Sequence, residues 1–430
     1  MASEIFKEEL DLFKKTKYQG AIESQQWVEY RPKASLDGAN TIEFEIQSSA
    51  DEYIDMKNIY LSMTCKLIDQ GGANFPAANN DHAPTNYVLN TAFEQLAIYL
   101  GSTLVSQASQ HYNYMSFIEA VTTPSNFSNQ SMTPSGFVST NYWNRAKNWE
   151  EPDTNLARIF TASATVKLYG KLHGPIFNSN RLLISGVPIK LEFTKTNDRW
   201  PTVSENAAFT AAAYPKFQIN EMNIYARKVK IAPAIINAHA QALRISNAIY
   251  PVKRPNIKVI NLTGGQSSFN IDNLFLGQIP SKIIFGLVRE DAFRGQTFRD
   301  PLRFENFNLN YLSLNVNGEM IPKVPYEPNY ANERYSREYH DFLLNLGFNP
   351  INTPPIDLDS YKNGLCLYSF NLNTDFSSTD KYINLPKNGY VNLQLKFSAN
   401  IPAHNVKLIV YSEFDNTIEI DENRNITTDY

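Results

Sequence analysis

The residues most able to do chemistry are spread along the chain without the spacing that chemistry needs. The histidines form no His-Glu-x-x-His pattern and no cysteine–histidine spacing typical of zinc. They are His82, His111, His173, His239, His340 and His404. There is no Gly-x-Ser-x-Gly turn, no Gly-x-Gly-x-x-Gly turn and no Walker phosphate loop. The sequence therefore predicts no catalytic residue, no cofactor and no metal site.

Two weaker chemical patterns remain. Residues 421–425 open like a calcium-binding loop, but Ile426 occupies the position that requires glycine. Paired carboxylates of a glycoside hydrolase are set in space and leave no sequence spacing to test. We therefore keep open a carbohydrate-binding or carbohydrate-cleaving β-sandwich in which Trp143, Trp149 and Trp200 line a sugar site. Loss of glycan binding on substitution of Trp143 would support that alternative.

Composition favours a soluble β-rich protein. The 430 residues are 43% hydrophobic, which is enough for a sizeable core. A net charge of −4 excludes the strongly basic surface of a protein whose main task is to bind nucleic acid. The 24 Tyr and 26 Phe favour strands, and the 47 Asn favour turns and long loops. Two distant cysteines, Cys65 and Cys366, argue against a disulfide framework and indicate synthesis in a reducing compartment.

The first residues predict a short amphipathic helix. Phe6, Leu10 and Phe13 fall at i, i+4 and i+7, after Ser3 as a possible N-cap and before Gly20 as a stop. We expect residues 1–40 to form an N-terminal arm that carries this helix. The apolar stripe could pack on its own domain or on a neighbouring subunit, because a stripe alone does not identify its partner.

After residue 40 the pattern becomes β, and its second half repeats the first. The alternation in residues 41–46 predicts a half-buried strand. Five later segments then recur in the same order about 200 residues on, which indicates a duplicated domain. The five pairs are residues 93–105 and 309–321, 114–121 and 336–346, 166–169 and 365–368, 185–193 and 388–397, and 219–231 and 406–420.

The repeat predicts an all-β fold of two tandem eight-stranded jelly rolls, with long loops and a few short helices. Each unit has about eight strand candidates and one helix in a long connection, which suits a jelly roll. We place the first jelly roll at residues 41–232 and the second at residues 258–415. A connector at residues 233–257 joins them, and residues 416–430 form a C-terminal extension.

The sequence resembles a known family of capsid proteins. Residues 41–67, 282–295 with 307–321, 361–375 and above all 410–430 (VYSEFDNTIEIDENRNITTDY) are similar to the major capsid protein of Polinton/Maverick elements and adintoviruses. This family is thought to have the double jelly-roll fold of the adenovirus-hexon lineage. The loop at residues 70–86 and the arm before residue 41 match nothing in that family.

The resemblance implies a structural protein without catalysis. It implies a homotrimer that forms a pseudo-hexagonal capsomer of an icosahedral double-stranded DNA virus or virus-like element. Expected partners are further copies, then a penton or minor capsid protein, with no sequence-specific binding of nucleic acid. We expect synthesis in the host cytosol and a final place in the virion capsid. A vertex or spike protein of the same particle is the other alternative, and pentamers in electron micrographs would favour it.

Under this interpretation the arm and the tail contact neighbouring subunits near the base of the shell. The residues predicted to make those contacts are Phe6, Leu10, Phe13, Asp415, Asn416, Ile418 and Ile420.

Overall fold

The computed structural model describes residues 18–76, 82–106, 111–122, 132–138, 154–204, 215–296, 299–348, 356–373 and 384–429. The first half of these residues contains β1 (Ile22–Tyr30), β2 (Thr41–Ile46), β3 (Glu52–Ile68), β4 (His82–Pro84), α1 (Val88–Thr91), β5 (Phe93–Leu100), β6 (Thr103–Leu104), α2 (Tyr112–Thr122), α3 (Thr154–Ile159), β7 (Val166–Lys171), β8 (Ile189–Lys195), β9 (Thr202–Ser204) and β10 (Lys216–Ile231). The second half contains α4 (Pro233–Leu243), β11 (Ala248–Leu262), β12 (Ser268–Gln278), β13 (Lys282–Arg289), α5 (Glu290–Phe293), β14 (Leu309–Val316), β15 (Glu319–Tyr326), α6 (Ser336–Asn345), α7 (Leu358–Asn363), β16 (Leu367–Asn371), β17 (Asn388–Phe397), β18 (Val406–Ile420) and β19 (Ile426–Thr428). Short 3-10 turns lie at Thr133–Ser135, Thr161–Ser163 and Tyr330–Asn332.

Each half forms a sandwich of two antiparallel four-stranded sheets. The first sandwich has the sheets β1-β10-β3-β7 and β2-β8-β5-β6, with β4 and β9 paired separately. The second has β11-β18-β13-β16, extended by β19, and β12-β17-β14-β15. If the eight main strands of each half are counted along the chain, both halves give the orders 1-8-3-6 and 2-7-4-5. The predicted fold, two tandem jelly rolls, is therefore confirmed.

The sequence repeat corresponds to this duplication. Its five segment pairs fall on β5–β6 and β14–β15, on α2 and α6, on β7 and β16, on β8 and β17, and on β10 and β18. Each pair occupies the same place in the strand order of its own sandwich. The two predicted helices are confirmed as α2 and α6, and Gly347, with φ of 79°, follows the end of α6.

Alternating side chains build the core. In β3, Leu61, Met63 and Cys65 point inward and are fully buried, while the residues between them face the other side of the sheet. In the facing sheet, Phe44 of β2 packs edge-on against Phe193 of β8 at 5.9 Å between ring centroids. The buried apolar residues of both sandwiches form one continuous cluster. The two jelly rolls therefore share a core rather than meeting as separate globules.

The structure moves the predicted boundary of the first jelly roll. Within the expected arm at residues 1–40, residues 22–30 form β1, which pairs with β10 from Ile22↔Ile231 to Tyr30↔Ile224. The first sandwich therefore begins at Ile22. Sequence periodicity missed β1 because it is an edge strand, and its residues up to Trp27 are all exposed, so they carry no apolar alternation.

The other boundaries shift as well. In the expected connector at residues 233–257, α4 is followed by β11, which already belongs to the second sandwich. This range contains Pro251 and Pro255, which favour a linker, but β11 is an edge strand, where proline is tolerated. Of the expected extension at residues 416–430, the first five residues complete β18 and pair with β11. Strand β19 then folds back onto β18, so the tail is part of the sheet.

Gly286 should be a strict steric requirement of the second sandwich. A Cβ built there overlaps the Phe304 ring and lies 2.7 Å from a Leu367 methyl group. We expect Gly286→Ala to lower the free energy of unfolding by about 1–3 kcal/mol, because an overpacked core must shift. Gly20→Ala is the matched control, since no atom lies within 4 Å of its Cβ. Denaturant unfolding checks this, and equal effects of both substitutions would contradict it.

Candidate functional site

Helix α2 lies between the two sandwiches and is buried on every side. All eleven of its residues, Tyr112–Thr122, are buried. An isolated surface helix would expose one polar face, whereas a helix surrounded by protein has no such face. The helix belongs to the first sandwich by sequence, and it contacts β5 of that sandwich and β11 of the second.

Aromatic contacts join α2 to the second sandwich. The Tyr114 ring stacks on Phe293 at 5.7 Å, and its hydroxyl donates a hydrogen bond to the Pro301 carbonyl at 2.9 Å. Phe117, one turn later, stacks on Phe304 at 6.5 Å. Aromatic pairs of this kind add specific geometry to the burial of large apolar area. Side chains of this helix therefore help to fix the two jelly rolls relative to each other, together with hydrogen bonds elsewhere, such as that from the Tyr250 hydroxyl to the Leu182 carbonyl at 3.1 Å.

A chain of buried polar groups runs across the same junction. The Glu119 carboxylate accepts from Nδ1 of His173 at 2.7 Å and from the Tyr411 hydroxyl at 3.2 Å. His173 Nε2 lies 2.8 Å from the Tyr87 hydroxyl. Glu119, His173 and Tyr87 belong to the first sandwich, and Tyr411 lies on β18 of the second. Buried polar groups are stable only when paired, so this series of hydrogen bonds specifies one docking geometry of the two sandwiches.

The series of buried polar groups continues into an ion pair within the second sandwich. Tyr411 lies 2.8 Å from the Glu413 carboxylate, which pairs with the Lys282 ammonium at 3.1 Å. Burial tends to raise the pKa of Glu413. The ammonium groups of Lys282 and Lys253 and the hydrogen bond from Tyr411 outweigh burial and hold that pKa below its ordinary value.

The Tyr411 hydroxyl stays protonated between two carboxylates. Burial first, and then the charges of Glu119 and Glu413, raise the pKa of Tyr411 well above its ordinary range. A neutral phenol can then donate to one of the two carboxylates at a time. These groups lie inside the protein, so the arrangement orients the sandwiches and offers no exposed nucleophile or acid–base pair to a substrate.

A row of aromatic residues crosses the outward face of the sheet β1-β10-β3-β7. We call Trp27, Tyr225, Tyr60 and Tyr169 the aromatic row; each comes from a different strand. Tyr60 lies 5.6 Å from Trp27 and 5.3 Å from Tyr169, and Tyr169 lies 5.9 Å from Tyr225. Trp27 is 52% exposed and Tyr169 is 39% exposed. An exposed group of large aromatic side chains is typical of an interaction surface.

The corresponding face of the second sandwich is covered. Tyr225 on β10 and Tyr411 on β18 both lie on the eighth strand of their sandwich, near its centre. Tyr411 is buried beneath α2 of the first sandwich, whereas Tyr225 has no such helix above it in the described residues. The counterpart of α2 is α6, which exposes His340 and Leu344. In the part of the chain that the structure describes, one helix covers one sheet face, and a second helix and a second face are exposed.

Three of the seven predicted contact residues are buried within their own chain. Phe6, Leu10 and Phe13 are outside the described residues. Asn416, Ile418 and Ile420 are buried within their own chain, in the part of β18 that pairs with β11. They therefore stabilise the second sandwich and cannot contact a neighbour, which corrects the prediction for these three. Asp415 is partly exposed and stays a predicted contact.

The sugar-site alternative loses one of its residues. Trp200 is 3% exposed and packs edge-on against Tyr114 at 5.7 Å, so it cannot stack on a sugar. Trp143 and Trp149 lie outside the described residues. Across the described ranges, no group of three or more His, Cys, Asp or Glu is placed to hold a metal ion. Within those same ranges no helix has the length and apolar character to span a membrane.

Sequence reasoning missed the polar chain across the junction. His173 is one of the scattered histidines, and Tyr411 lies in the repeated segment 406–420 without a motif of its own. The available signal was Glu119, an acid inside a helix whose other positions are apolar or small. A charged residue at such a place indicates a buried partner.

Comparison with known proteins agrees with this architecture. No protein-family model matches the chain. An uncharacterized protein of Caenorhabditis elegans is 22% identical over 431 residues, which cover 96% of this chain and 98% of that protein. The PBCV-1 protein VP54, fitted into a cryo-EM reconstruction of the virophage Sputnik, is 11% identical with a TM-score of 0.65, over 97% of this chain and 99% of VP54. The Faustovirus major capsid protein is 10% identical with a TM-score of 0.56, over 94% of this chain and 92% of that protein. This chain has the same fold as these two.

Removing the Glu119 carboxylate should weaken the junction. We expect Glu119→Ala to lower the free energy of unfolding by about 2–4 kcal/mol, because His173 and Tyr411 both lose a buried partner. Glu319→Ala removes an exposed carboxylate of β15 and should change stability by less than about 0.5 kcal/mol. Denaturant unfolding at neutral pH measures both values. A Glu119 variant as stable as the natural chain would show that the polar chain does not hold the sandwiches together.

Glu413 should make stability depend on pH in the acid range. The folded pKa of Glu413 lies below the ordinary value of 4.5. The stabilisation from its ionised carboxylate is therefore fully present above pH 4.5 and is lost as the pH falls through the folded pKa. We expect Glu413→Gln to destabilise by about 2–4 kcal/mol near pH 7, because Lys282 loses its partner. The difference from the natural chain should shrink below about pH 4. A difference independent of pH, measured by unfolding at several pH values, would contradict this.

Proposed function

We propose that this chain is the major capsid protein of a double-stranded DNA virus or a virus-like genetic element, with a structural and non-enzymatic role. The observation that supports this most is the duplicated jelly roll in which one sandwich face is covered by a helix and the equivalent face is exposed. The full-length fold likeness to VP54 and to the Faustovirus major capsid protein supports the same function. The protein would be synthesised in the host cytosol and would then be located in the virion capsid.

Two surfaces of the chain, the aromatic row and the exposed side of α6, favour a closed ring of copies. Within the chain, α2 of the first sandwich covers a face of the second. The counterpart helix α6 can cover the aromatic row of the next copy in the same way. Such a contact is heterologous, because two different surfaces meet, and heterologous contacts give a ring when the rotation closes. Three copies with two sandwiches each then give six similar units, which is the pseudo-hexagonal capsomer.

The chemistry of the two surfaces is compatible with this contact. The exposed side of α6 carries Leu344, which is 56% exposed, together with His340. The aromatic row provides large rings that can bury such a side chain, and Glu29 lies next to Tyr225 across the β1–β10 pair. Aromatic residues are enriched at the centre of interfaces, with polar groups around them.

We also propose that the chain belongs to the Polinton/Maverick and adintovirus lineage of capsid proteins. The stretches that resemble Polinton/Maverick and adintovirus capsid proteins lie on scaffold strands of this fold, including β3, β13, β16 and β18. The relative that matches almost end to end comes from an animal, which suits an element carried in animal genomes. A penton or minor capsid protein would then be the partner at the vertices of the lattice.

Solution mass tests the proposed trimer. We expect light scattering of the purified chain to give about three times 48.9 kDa. Trp27→Glu with Tyr169→Glu should leave a folded monomer, because charge would be buried in the contact. Leu344→Glu should do the same from the opposite surface.

A matched variant makes this test specific. Leu276 is 76% exposed but lies on β12, in the other sheet of the second sandwich, so Leu276→Glu should leave the trimer intact. A natural chain that stays monomeric at all concentrations would refute the proposal. Pentamers would instead indicate a vertex protein.

A further inference from the structure

An apolar groove lies where the chain passes from one sandwich to the other. Its volume is about 620 Å³, and it is formed by the start of β1, the end of β10, helix α4 and the start of β11. Its apolar side chains come from all of these elements and from the segment before β8. They include Ile22, Ile184, Ile231, Ile235, Leu243 and Ile249. None of these residues was predicted as a contact from the sequence.

Helix α4 turns an apolar stripe towards this groove. Ile235, His239, Ala242 and Leu243 line it and follow the i, i+4, i+7, i+8 spacing of one helix face. No residue of α4 is buried. The Tyr53 hydroxyl lies 2.9 Å from His239 Nδ1 and so ties α4 to the first sandwich. The helix is thus held in place, and its apolar face, where Ile235 and Leu243 are half-buried against the core, stays partly open.

Exposed apolar residues concentrate around the groove. Ile22 is 37% exposed and Ile249 is 47% exposed, and both line the groove. Ile245, between α4 and β11, is 88% exposed. Single exposed apolar residues are ordinary, but a group around one groove marks a surface that another segment covers.

The chain itself supplies a segment at this place. The described residues begin at Tyr18, and Ala21 already lines the groove, with its carbonyl accepting from the Ala232 amide at 2.9 Å. Residues 1–17 therefore join the protein within a few residues of the groove. Their sequence predicts an amphipathic helix with Phe6, Leu10 and Phe13 on one face. At 1.5 Å per residue, the stripe from Phe6 to Phe13 spans roughly 10 Å.

We propose that residues 1–17 dock in this groove of their own chain, with Phe6, Leu10 and Phe13 against the apolar face of α4. The tether at residues 18–20 is short, so the local concentration of the segment at the groove is on the order of millimolar or higher. A second copy's segment would have to compete with that concentration. The docked segment buries the exposed isoleucines and so covers the connection between the two jelly rolls.

Charge supports the same occupant. Residues 4–11 of the segment contain four acids and one lysine. Arg181 lines the groove, and Arg244, which follows α4, has a side chain that is 72% exposed. One acid, Glu422, lies 3.5 Å from Arg244. The acidic half of the segment would thus find one arginine in the groove and another just after α4, which favours docking.

Disulfide trapping in the full-length chain tests the proposal. Cys65 and Cys366 are buried free thiols, so an engineered pair reports on its own contact. We expect Leu10→Cys with Ile235→Cys to form an intrachain disulfide rapidly under mild oxidation. Glu9→Cys with Ile235→Cys is the matched control, because residue 9 lies about 100° away around the predicted helix. It should form the disulfide at least tenfold more slowly.

The products distinguish the possible occupants. A disulfide within one chain, found by mass spectrometry of proteolytic peptides, supports docking on the same chain. Disulfide-linked dimers would overturn the proposal in favour of exchange of the segment between copies. Equal rates for the residue 9 and residue 10 pairs would also overturn it, because the predicted apolar face would then have no preference for the groove.

A binding measurement makes the test independent of trapping. A fluorescent peptide of residues 1–17 should bind a chain that lacks those residues and compete poorly for the intact chain. A peptide with Phe6, Leu10 and Phe13 changed to Ala should lose at least tenfold in affinity. If the shortened chain does not fold, the same peptides are tested on full-length Ile235→Glu. This variant should be unable to hold its own segment or either peptide.

Two outcomes would overturn the proposal. One is equal binding of the two peptides to the shortened chain, and the other is binding of either peptide to Ile235→Glu. Trimer formation is read separately by light scattering, so failure of this inference does not affect the proposed capsid function.

Discussion

A sheet in a sandwich has two faces, and an apolar outward face must be covered by something. In the second sandwich that face includes Tyr411 and Gly286, and it is covered by α2 and by Phe304. The close approach of Phe304 is possible only because residue 286 has no side chain. This covering is a main contact between the two jelly rolls, since α2 provides both the aromatic contacts and Glu119.

The duplication gives this constraint a consequence beyond the single chain. Two copies of one fold present two equivalent faces, but a chain with two sandwiches can cover only one of them with its own preceding helix. Among the described residues, the aromatic row is the face without such a helix, and α6 is the helix that covers no equivalent face. This difference between the two faces is one ground for the proposed self-assembly.

Much of the scaffold could be predicted from the sequence, because repeated strands leave a repeated pattern of apolar residues. The paired segments 93–105 and 309–321 and the helices α2 and α6 were identified in this way. Strand β1 was not identified, since an exposed edge strand carries little periodic signal. Helix α4 was assigned to the connector, although its apolar residues follow helical spacing. The polar chain from Tyr87 to Lys282 could not be predicted, because its members come from distant segments that only the fold brings together. The burial of Ile418 and Ile420 depends on the pairing of β18 with β11 and β19, which is also a matter of tertiary structure.

Single-particle cryo-EM of the purified chain tests the central claim most directly. The account predicts a closed ring of six similar sandwiches from three chains, with α6 of each chain seated on Trp27, Tyr60, Tyr169 and Tyr225 of the next. A map in which the chains meet through other surfaces, or in which the outward face of β1-β10-β3-β7 stays open to solvent within the assembled particle, would contradict it.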